Sequence, residues 1–239
     1  MHAYVENVID KIQKTISSQE EELEEVSEII AESITDGGIL HVLGTGHSHM
    51  LAEEIFYRAG GPIFTNPILD PALMLHNGTA KSSRLERLSG YAKAILEDVD
   101  LQSKDIFLVI SNSGRNPVPI EAMLYTKERD LTTLAITSLK HSRAVDSRHT
   151  SGKLADFTFD NYGEIGDTSL KLKNSDQHYG PTSSAVGIVL IQTLISLTIE
   201  KLEEKGVTPP LLRSANLDDA DASNRKNIQK YINRIPLLK

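Results

Sequence analysis

The stretch Val42-Leu43-Gly44-Thr45-Gly46-His47-Ser48 is the most informative part of the sequence, because in it an apolar strand passes through two glycines into a polar helix start. A second stretch with the same organisation follows downstream, Ile110-Ser111-Asn112-Ser113-Gly114-Arg115-Asn116. Each predicts a buried strand, a short hydroxyl-bearing turn and a helix. Such a turn presents backbone N–H groups at the positive end of the helix dipole, with serine hydroxyls beside them. Two of these turns in one sheet would form a cradle for an anion, so we expect a phosphorylated small molecule as the ligand.

Length and composition favour a single α/β domain in the cytoplasm. The 239 residues show no break in composition, and the net charge of −8 argues against a nucleic-acid partner. The absence of cysteine excludes disulfides and thiolate metal sites, and it fits a reducing compartment. The acidic, amphipathic N-terminus does not resemble a signal peptide. The longest apolar run, Val186 to Ile199, is predicted to be too short and too polar to span a membrane, so we expect a buried helix there.

Residues 1–36 carry apolar side chains at helical spacing, which predicts either a helical hairpin or one long bent helix before Gly37-Gly38. Strands and helices then alternate along the chain. The predicted strands cover residues 39–43, 63–65, 106–110, 131–136 and 155–159, and a loop is expected at Asn66-Pro67. The predicted helices cover residues 48–58, 83–98, 117–128, 180–205 and 220–235.

This alternation predicts a three-layer α/β/α sandwich around a five-stranded parallel sheet of the flavodoxin-like type. One domain over residues 1–239 is expected, with an N-terminal helical segment (1–36), an α/β core (37–206) and a C-terminal helical extension (207–239). Ligands of such sheets bind beyond the carboxyl ends of the strands, and both glycine turns lie at such ends.

Better-known glycine motifs do not match the first turn. A dinucleotide fingerprint would need glycine at His49, and a nucleophile elbow would need glycine at Met50. The Gly-Lys-Ser/Thr tripeptide of a nucleotide P-loop does not occur in the chain. Two ordinary glycine-containing strand–helix turns remain the alternative to an anion site.

The two stretches resemble the motifs of the sugar isomerase (SIS) domain family, Gly-x-Gly-x-Ser after the first strand and Ser-x-Ser-Gly-x-Ser/Thr after a central strand. Thr137-Ser138, at the end of the next strand, and the late helix start Gly180-Pro181-Thr182-Ser183-Ser184 are similar to further family motifs. The resemblance covers nearly the whole chain. Phosphoheptose isomerase and arabinose 5-phosphate isomerase look like the nearest relatives.

The resemblance implies that the motif residues bind the phosphate and the sugar. These residues are Gly44, Gly46, His47, Ser48, Ser111, Asn112, Ser113, Gly114, Asn116, Thr137 and Ser183. Asn116 departs from the family pattern, because it stands where serine or threonine usually helps to hold the phosphate. An amide can still donate a hydrogen bond to an oxyanion.

Aldose–ketose isomerisation needs a base that moves a proton between adjacent carbons, and often an acid that opens the sugar ring. Glu53, Glu54, His76 and His178 are the candidates, since they are the carboxylates and histidines nearest the expected sugar by motif position. His76 could equally be a loop histidine with local hydrogen bonds, whereas His178 resembles the late histidine of phosphoheptose isomerases. Glu86 lies on a predicted helix and either faces the cleft or is solvated.

A zinc site is a further expectation. His49 and Glu53 lie four residues apart on one helix face, and the pair is similar to the metal-binding pair of phosphoheptose isomerases. His178 would be a third ligand, because two side chains alone do not make a closed site. The relatives carry their pair later in the helix, where this chain has Glu54 and Arg58.

The resemblance implies a sugar-phosphate isomerase of the phosphoheptose type. The resemblance also implies a homo-oligomer, at least a dimer, in which His76 or His178 acts across the subunit interface. No nucleic-acid or membrane partner is expected. Two alternatives stay open: a non-catalytic sensor that binds a sugar phosphate, and a lyase or deaminase that acts on an amino-sugar phosphate.

Overall fold

A five-stranded sheet forms the central layer of the protein in a computed structural model that describes residues 1–144, 149–214 and 220–239. Its strands are β1 (Leu40–Gly44), β2 (Thr65–Ile68), β3 (Ile106–Ile110), β4 (Thr132–Thr137) and β5 (Phe157–Asp160). They lie in the order β2-β1-β3-β4-β5, and every neighbouring pair is parallel. The predicted three-layer α/β/α sandwich with a five-stranded parallel sheet is confirmed.

Helices cover both faces of this sheet. Those of the described residues are α1 (Ala3–Ser17), α2 (Glu20–Thr35), α3 (His49–Glu54), α4 (Thr79–Leu85), α5 (Tyr91–Leu96), α6 (Pro117–Lys127), α7 (Leu139–Ser142), α8 (Ser151–Leu154), α9 (Ser183–Glu204) and α10 (Ala220–Tyr231). Successive strand residues point to opposite faces. Leu108 therefore packs with α2, α3 and α9 on one face, whereas Phe107 and Val109 pack with α5 and α6 on the other. Both faces are buried, which explains the continuous apolar runs of the strands.

The N-terminal segment is a helical hairpin rather than one bent helix. α1 ends at Ser17 and α2 begins at Glu20. The apolar side of α2 packs along α9 in the larger core, with Val26 and Ile30 fully buried.

The second strand differs from the prediction. It covers Thr65–Ile68 instead of 63–65, so Pro67 belongs to the strand and not to a loop. β2 is an edge strand, where a proline removes no hydrogen bond from the interior of the sheet. The backbone N–H of Ile63 instead donates to the carbonyl of Pro210 at 2.9 Å.

Two predicted helices are also wrong in extent. The helix expected over 48–58 ends at Glu54, and Tyr57 shortly afterwards adopts a left-handed conformation with φ of 47°. The helix expected over 83–98 is divided into α4 and α5, because Gly90 interrupts it with φ of 82°. Left-handed backbone ends a helix.

The long apolar helix α9 has 22 residues, so the prediction that its apolar run is too short for a membrane span is wrong on length. Among the described residues it is the helix that is long and apolar enough to cross a membrane by length and composition. Its position explains this composition, since Leu190, Ile191 and Leu194 are fully buried against the sheet and α2. α9 is therefore a core helix of this fold, as expected for a buried helix.

The C-terminal segment closes the amino end of the sheet, opposite the glycine turns. Arg234 donates two hydrogen bonds to Asp105, at 3.1 Å and 2.7 Å. Asp105 precedes β3, is fully buried and also contacts His41 Nε2 at 3.2 Å. Burial alone raises the pKa of Asp105, but hydrogen bonds from His41, Arg234 and the backbone of Gln102 outweigh it and lower that pKa to about 2. Residues 215–219 of the predicted extension lie outside the described residues.

Candidate functional site

The first glycine turn joins β1 to α3 through a short 3₁₀ segment, Gly46–Ser48. A side chain at Gly44 would place its Cβ 2.5 Å from the carbonyl carbon of Ser48, so only glycine allows this close approach. Gly46 adopts a left-handed conformation with φ of 57°. These two glycines bring Ser48 back over the carboxyl end of β1.

The second turn follows β3 and leads into α6. The Ser111 hydroxyl accepts a hydrogen bond from the backbone N–H of Gly114 at 3.1 Å, which shapes the turn. Gly114 is left-handed, with φ of 62°, and a Cβ there would lie 2.7 Å from Ser151 Oγ. Thr137, at the end of β4, donates from its hydroxyl to the carbonyl of Asn112 at 3.2 Å. The second turn is thus supported by its neighbouring strand.

The two turns meet at one pocket. Ser48 from the first turn, Asn112 from the second, and Ser183 and Ser184 from the start of α9 line one small pocket. In the described part of the chain, neither the Ser48 hydroxyl nor the Ser113 hydroxyl has a hydrogen-bond partner. Within that part of the chain, the Ser48 hydroxyl is therefore free at this pocket, and the Ser113 hydroxyl is free in the second turn.

Ser183 is already bound to an anionic group of the protein. The carboxylate of Asp167 accepts hydrogen bonds from the backbone N–H of Thr182 at 3.1 Å and of Ser183 at 3.0 Å, and from the Ser183 hydroxyl at 2.5 Å. A carboxylate at a helix N-terminus interacts favourably with the helix dipole. The start of α9, where the sequence predicts a contact to the ligand, thus carries a carboxylate from the same chain.

Asn116 is likewise engaged within the protein. Its side-chain amide donates to Glu86 Oε1 at 2.5 Å, and the hydroxyl of Thr45 in the first turn donates to Glu86 Oε2 at 2.8 Å. Glu86 follows α4 and is half-buried. One carboxylate thus contacts both turns.

The candidates for proton transfer are dispersed around this pocket. Glu53 is exposed, and its Oε2 lies 3.6 Å from His49 Nε2. The rings of His49 and His76 lie 6.3 Å apart in an edge-on arrangement. Glu54 forms an ion pair with Arg58. These contacts group one carboxylate and two histidines beside the first turn.

His178 lies away from this group, on a small hairpin that the sequence did not predict. The hairpin pairs β6 (Leu170–Lys171) with β7 (His178–Tyr179), and His178 is exposed there. His47 is also exposed, in the 3₁₀ segment of the first turn. Across residues 1–144, 149–214 and 220–239, no three His, Cys, Asp or Glu side chains are close enough to hold a metal ion. The residues do not fit the expected zinc site of His49, Glu53 and His178.

Sequence reasoning missed a second polar pair beside the turns. Arg115 follows Gly114 and donates to His141 Nε2 at 3.1 Å, while His141 Nδ1 is buried without a hydrogen-bond partner among the described residues. Burial and then the nearby Arg115 cation lower the pKa of His141. This pair and the Glu86 contacts depend on side chains far apart in the chain. In the sequence, the clearest indication of the pair of Arg115 and His141 was the position of Arg115 inside the second motif.

Comparisons with known proteins agree with this architecture. A family profile described as SIS domain matches residues 3–138. The UPF0309 protein of Halalkalibacterium halodurans is 40% identical over 240 residues, which cover 99% of this chain and 96% of that relative. The UPF0309 protein of Listeria innocua is 41% identical, with 98% and 97% covered.

Solved structures of phosphoheptose isomerases share the fold. The enzyme from Francisella tularensis superposes with a TM-score of 0.55 at 15% identity, covering 83% of this chain and 95% of that one. The enzyme from Neisseria gonorrhoeae gives a TM-score of 0.52 at 15% identity, with 83% and 96% covered. At this identity the likeness concerns the fold.

Proposed function

The chain belongs to the SIS domain family and to the UPF0309 proteins, and from this membership we propose that it binds a phosphorylated sugar between its two glycine turns. One observation carries the proposal: Ser48, Asn112 and Ser183, from three separate elements, line one pocket at the carboxyl edge of the sheet. Parallel α/β sheets bind their ligands at this edge.

Phosphate binding is supported by the donors at this edge. The hydroxyls of Ser48 and Ser113 are available for charge-assisted hydrogen bonds. Ser111 uses its oxygen to accept from Gly114, so its own proton remains able to donate to a ligand. α6 has 11 residues, and its N-terminus follows the second turn, where its dipole favours an anion.

We extend the proposal to aldose–ketose isomerisation. A base removes the proton from the carbon next to the carbonyl group, and an enediolate forms. A proton is then returned to the former carbonyl carbon, and the hydroxyl proton of the first carbon passes to the former carbonyl oxygen. Glu53, His49 and His76 support this extension, because they form the group of titratable side chains beside the first turn. Glu54 and His178 are the weaker candidates, since Glu54 is paired with Arg58 and His178 is on an exposed hairpin.

A non-catalytic sugar-phosphate sensor is the second candidate. The engagement of Glu54 by Arg58 and by Gln192, whose amide donates to it at 3.1 Å, favours this alternative. A sensor needs the phosphate cradle but no free carboxylate near the sugar. Turnover therefore separates the two candidates.

We further propose that the whole chain acts as one domain. The contact of Arg234 with Asp105 supports this, because it joins the C-terminal segment to the start of a central strand.

The experiment incubates the purified protein with pentose, hexose, amino-sugar and heptose phosphates and follows binding and conversion by NMR and mass spectrometry. Ser48→Ala and Ser113→Ala should each weaken the binding of a cognate sugar phosphate, since a charge-assisted hydrogen bond contributes about 1.5–3 kcal/mol. Ser103→Ala is the matched control, because Ser103 is exposed before β3 at the opposite edge. Unchanged affinity in both turn variants would refute the cradle.

Catalysis is tested separately with Glu53→Ala, Glu54→Ala, His76→Ala and His178→Ala. General acid–base groups contribute about 10²–10⁴-fold, so loss of Glu53 or His76 should lower turnover and leave phosphate affinity unchanged. Full turnover in all four variants would exclude these side chains from proton transfer. Binding of a sugar phosphate without any conversion would support the sensor.

A further inference from the structure

Glu86 contacts both glycine turns. Its Oε2 accepts from the Thr45 hydroxyl at 2.8 Å, and its Oε1 accepts from the Asn116 amide at 2.5 Å. Thr45 belongs to the turn after β1, and Asn116 ends the turn after β3. β1 and β3 are neighbours in the sheet. In the part of the chain that the structure describes, Glu86 is the side chain that is hydrogen-bonded to both turns.

The backbone of Glu86 adds a third contact, at the start of α6. Asn116 occupies the N-cap position of α6, but its side chain makes no capping hydrogen bond. The carbonyl of Glu86 instead accepts from the backbone N–H of Val118 at 3.1 Å. Pro117 has no N–H, so Val118 carries the first backbone donor of this helix. Glu86 thereby replaces the cap that Asn116 would otherwise provide.

These contacts give Asn116 and Thr45 a role other than binding the phosphate directly. The Asn116 amide donates to a carboxylate, and a hydrogen bond to an ionised acceptor is stronger than one between neutral groups. Thr45 is almost fully buried, and its hydroxyl donor is used by the same carboxylate. Glu86 therefore links the two turns in addition to the pairing of β1 with β3 beneath them.

We propose that Glu86 is a positioning residue that holds the two phosphate-binding turns at the distance the ligand requires, which rests on the proposed sugar-phosphate site. Without the side-chain bridge, the pairing of β1 with β3 still joins the elements beneath the turns, but Thr45 and Asn116 no longer share a partner. A preorganised site loses affinity when its supporting contacts are removed, because part of the binding free energy is then spent on ordering the turns.

The test measures binding of inorganic phosphate and of a sugar phosphate to Glu86→Ala, Glu86→Gln and Thr45→Val. Glutamine is isosteric, accepts from Asn116 through its oxygen and donates to the Thr45 hydroxyl through its amide. Glu86→Ala should bind about tenfold more weakly, since it loses two hydrogen bonds, and Thr45→Val should fall between it and the wild type. Glu86→Gln should stay within about threefold of the wild type.

Glu121→Ala is the matched control. Glu121 also accepts two hydrogen bonds, from Ser89 at 2.6 Å and from the Gly90 backbone at 2.8 Å, but neither partner belongs to a glycine turn. Its loss should leave phosphate affinity unchanged. Wild-type affinity in Glu86→Ala would overturn the proposal. Equal weakening in Glu86→Gln and Glu86→Ala would also overturn it, because the charge and not the bridge would then be responsible.

A measurement without ligand separates this inference from the proposed function. If no phosphate compound binds the wild type, the proposed function fails. Thermal unfolding without ligand then tests whether Glu86 links the two turns. Thr45→Val and Asn116→Ala should shift the melting temperature non-additively when Glu86 is present and additively in the Glu86→Ala background. Additive shifts in both backgrounds would overturn the bridge.

Discussion

Replacement of Arg234 by methionine tests how strongly the C-terminal segment is held to the sheet. Methionine keeps much of the side-chain volume but removes both hydrogen bonds to Asp105, at 2.7 Å and 3.1 Å. Asp105 is fully buried, so its carboxylate would lose its cationic partner in an environment with little water. Removing one partner of a buried pair costs about 3–5 kcal/mol. We expect the lower end, about 3 kcal/mol, because 17% of the Arg234 side chain remains exposed to solvent.

Urea unfolding and thermal unfolding, each followed by circular dichroism, measure this loss. For a chain of this size, 1 kcal/mol lowers the melting temperature by about 2–4 °C, so Arg234→Met should melt roughly 6–12 °C below the wild type. Arg225→Met is the matched control, because Arg225 is exposed on α10 in the same C-terminal segment. A loss below about 0.5 kcal/mol in Arg234→Met, the size of an ordinary surface effect, would refute the reasoning.

The same contact predicts a dependence on pH. The pKa of Asp105 is about 2 in the folded protein, below the ordinary value of 3.8. The stabilisation is therefore complete above about pH 4 and is lost as the pH falls towards 2. It amounts to about 2 kcal/mol at 1.36 kcal/mol per pKa unit. Between about pH 4 and pH 2, Arg234→Met should lose less stability than the wild type. Asp105→Asn should lose none through this group, because it has no carboxylate there to protonate.

Three further outcomes are expected. Asp167→Ala should lower the free energy of unfolding by about 0.5–2 kcal/mol, because the start of α9 and Ser183 lose their acceptor, and a urea titration with unchanged stability would contradict this. Gly44→Ala should destabilise more than Gly46→Ala, since only the former places a Cβ against the Ser48 backbone, and equal melting temperatures would argue against the close approach. The protein should sediment as a dimer or larger at micromolar concentration, and a monomer with full sugar-phosphate affinity would refute a site shared between subunits.

Much of the fold could be predicted from the chain alone. β3 begins and ends at the predicted residues, because five consecutive apolar side chains suit a strand buried on both faces. The alternation of strands and helices predicted the parallel sheet, since parallel strands need crossover connections. The glycines at 44, 46 and 114 shape the two turns. Gly46 and Gly114 adopt left-handed backbone, and Gly44 allows a close approach.

Boundaries were predicted less well where tertiary position overrides local preference. Pro67 belongs to β2 because that strand is at an edge, and edge position cannot be seen in the local sequence. The early end of α3 was missed because Tyr57, whose residue type does not favour left-handed backbone, adopts it shortly after Glu54.

Only the tertiary structure shows how the candidate site is held together. The motif predicted Asn116 and Ser183 as ligand-binding residues, and the structure pairs them with Glu86 and Asp167. Glu86 reaches Thr45 across 41 positions of sequence, and Arg234 reaches Asp105 across 129. Periodicity and turn chemistry act over a few neighbouring residues, so they predict elements and turns. Which groups contact a buried carboxylate depends instead on which elements the fold brings next to one another.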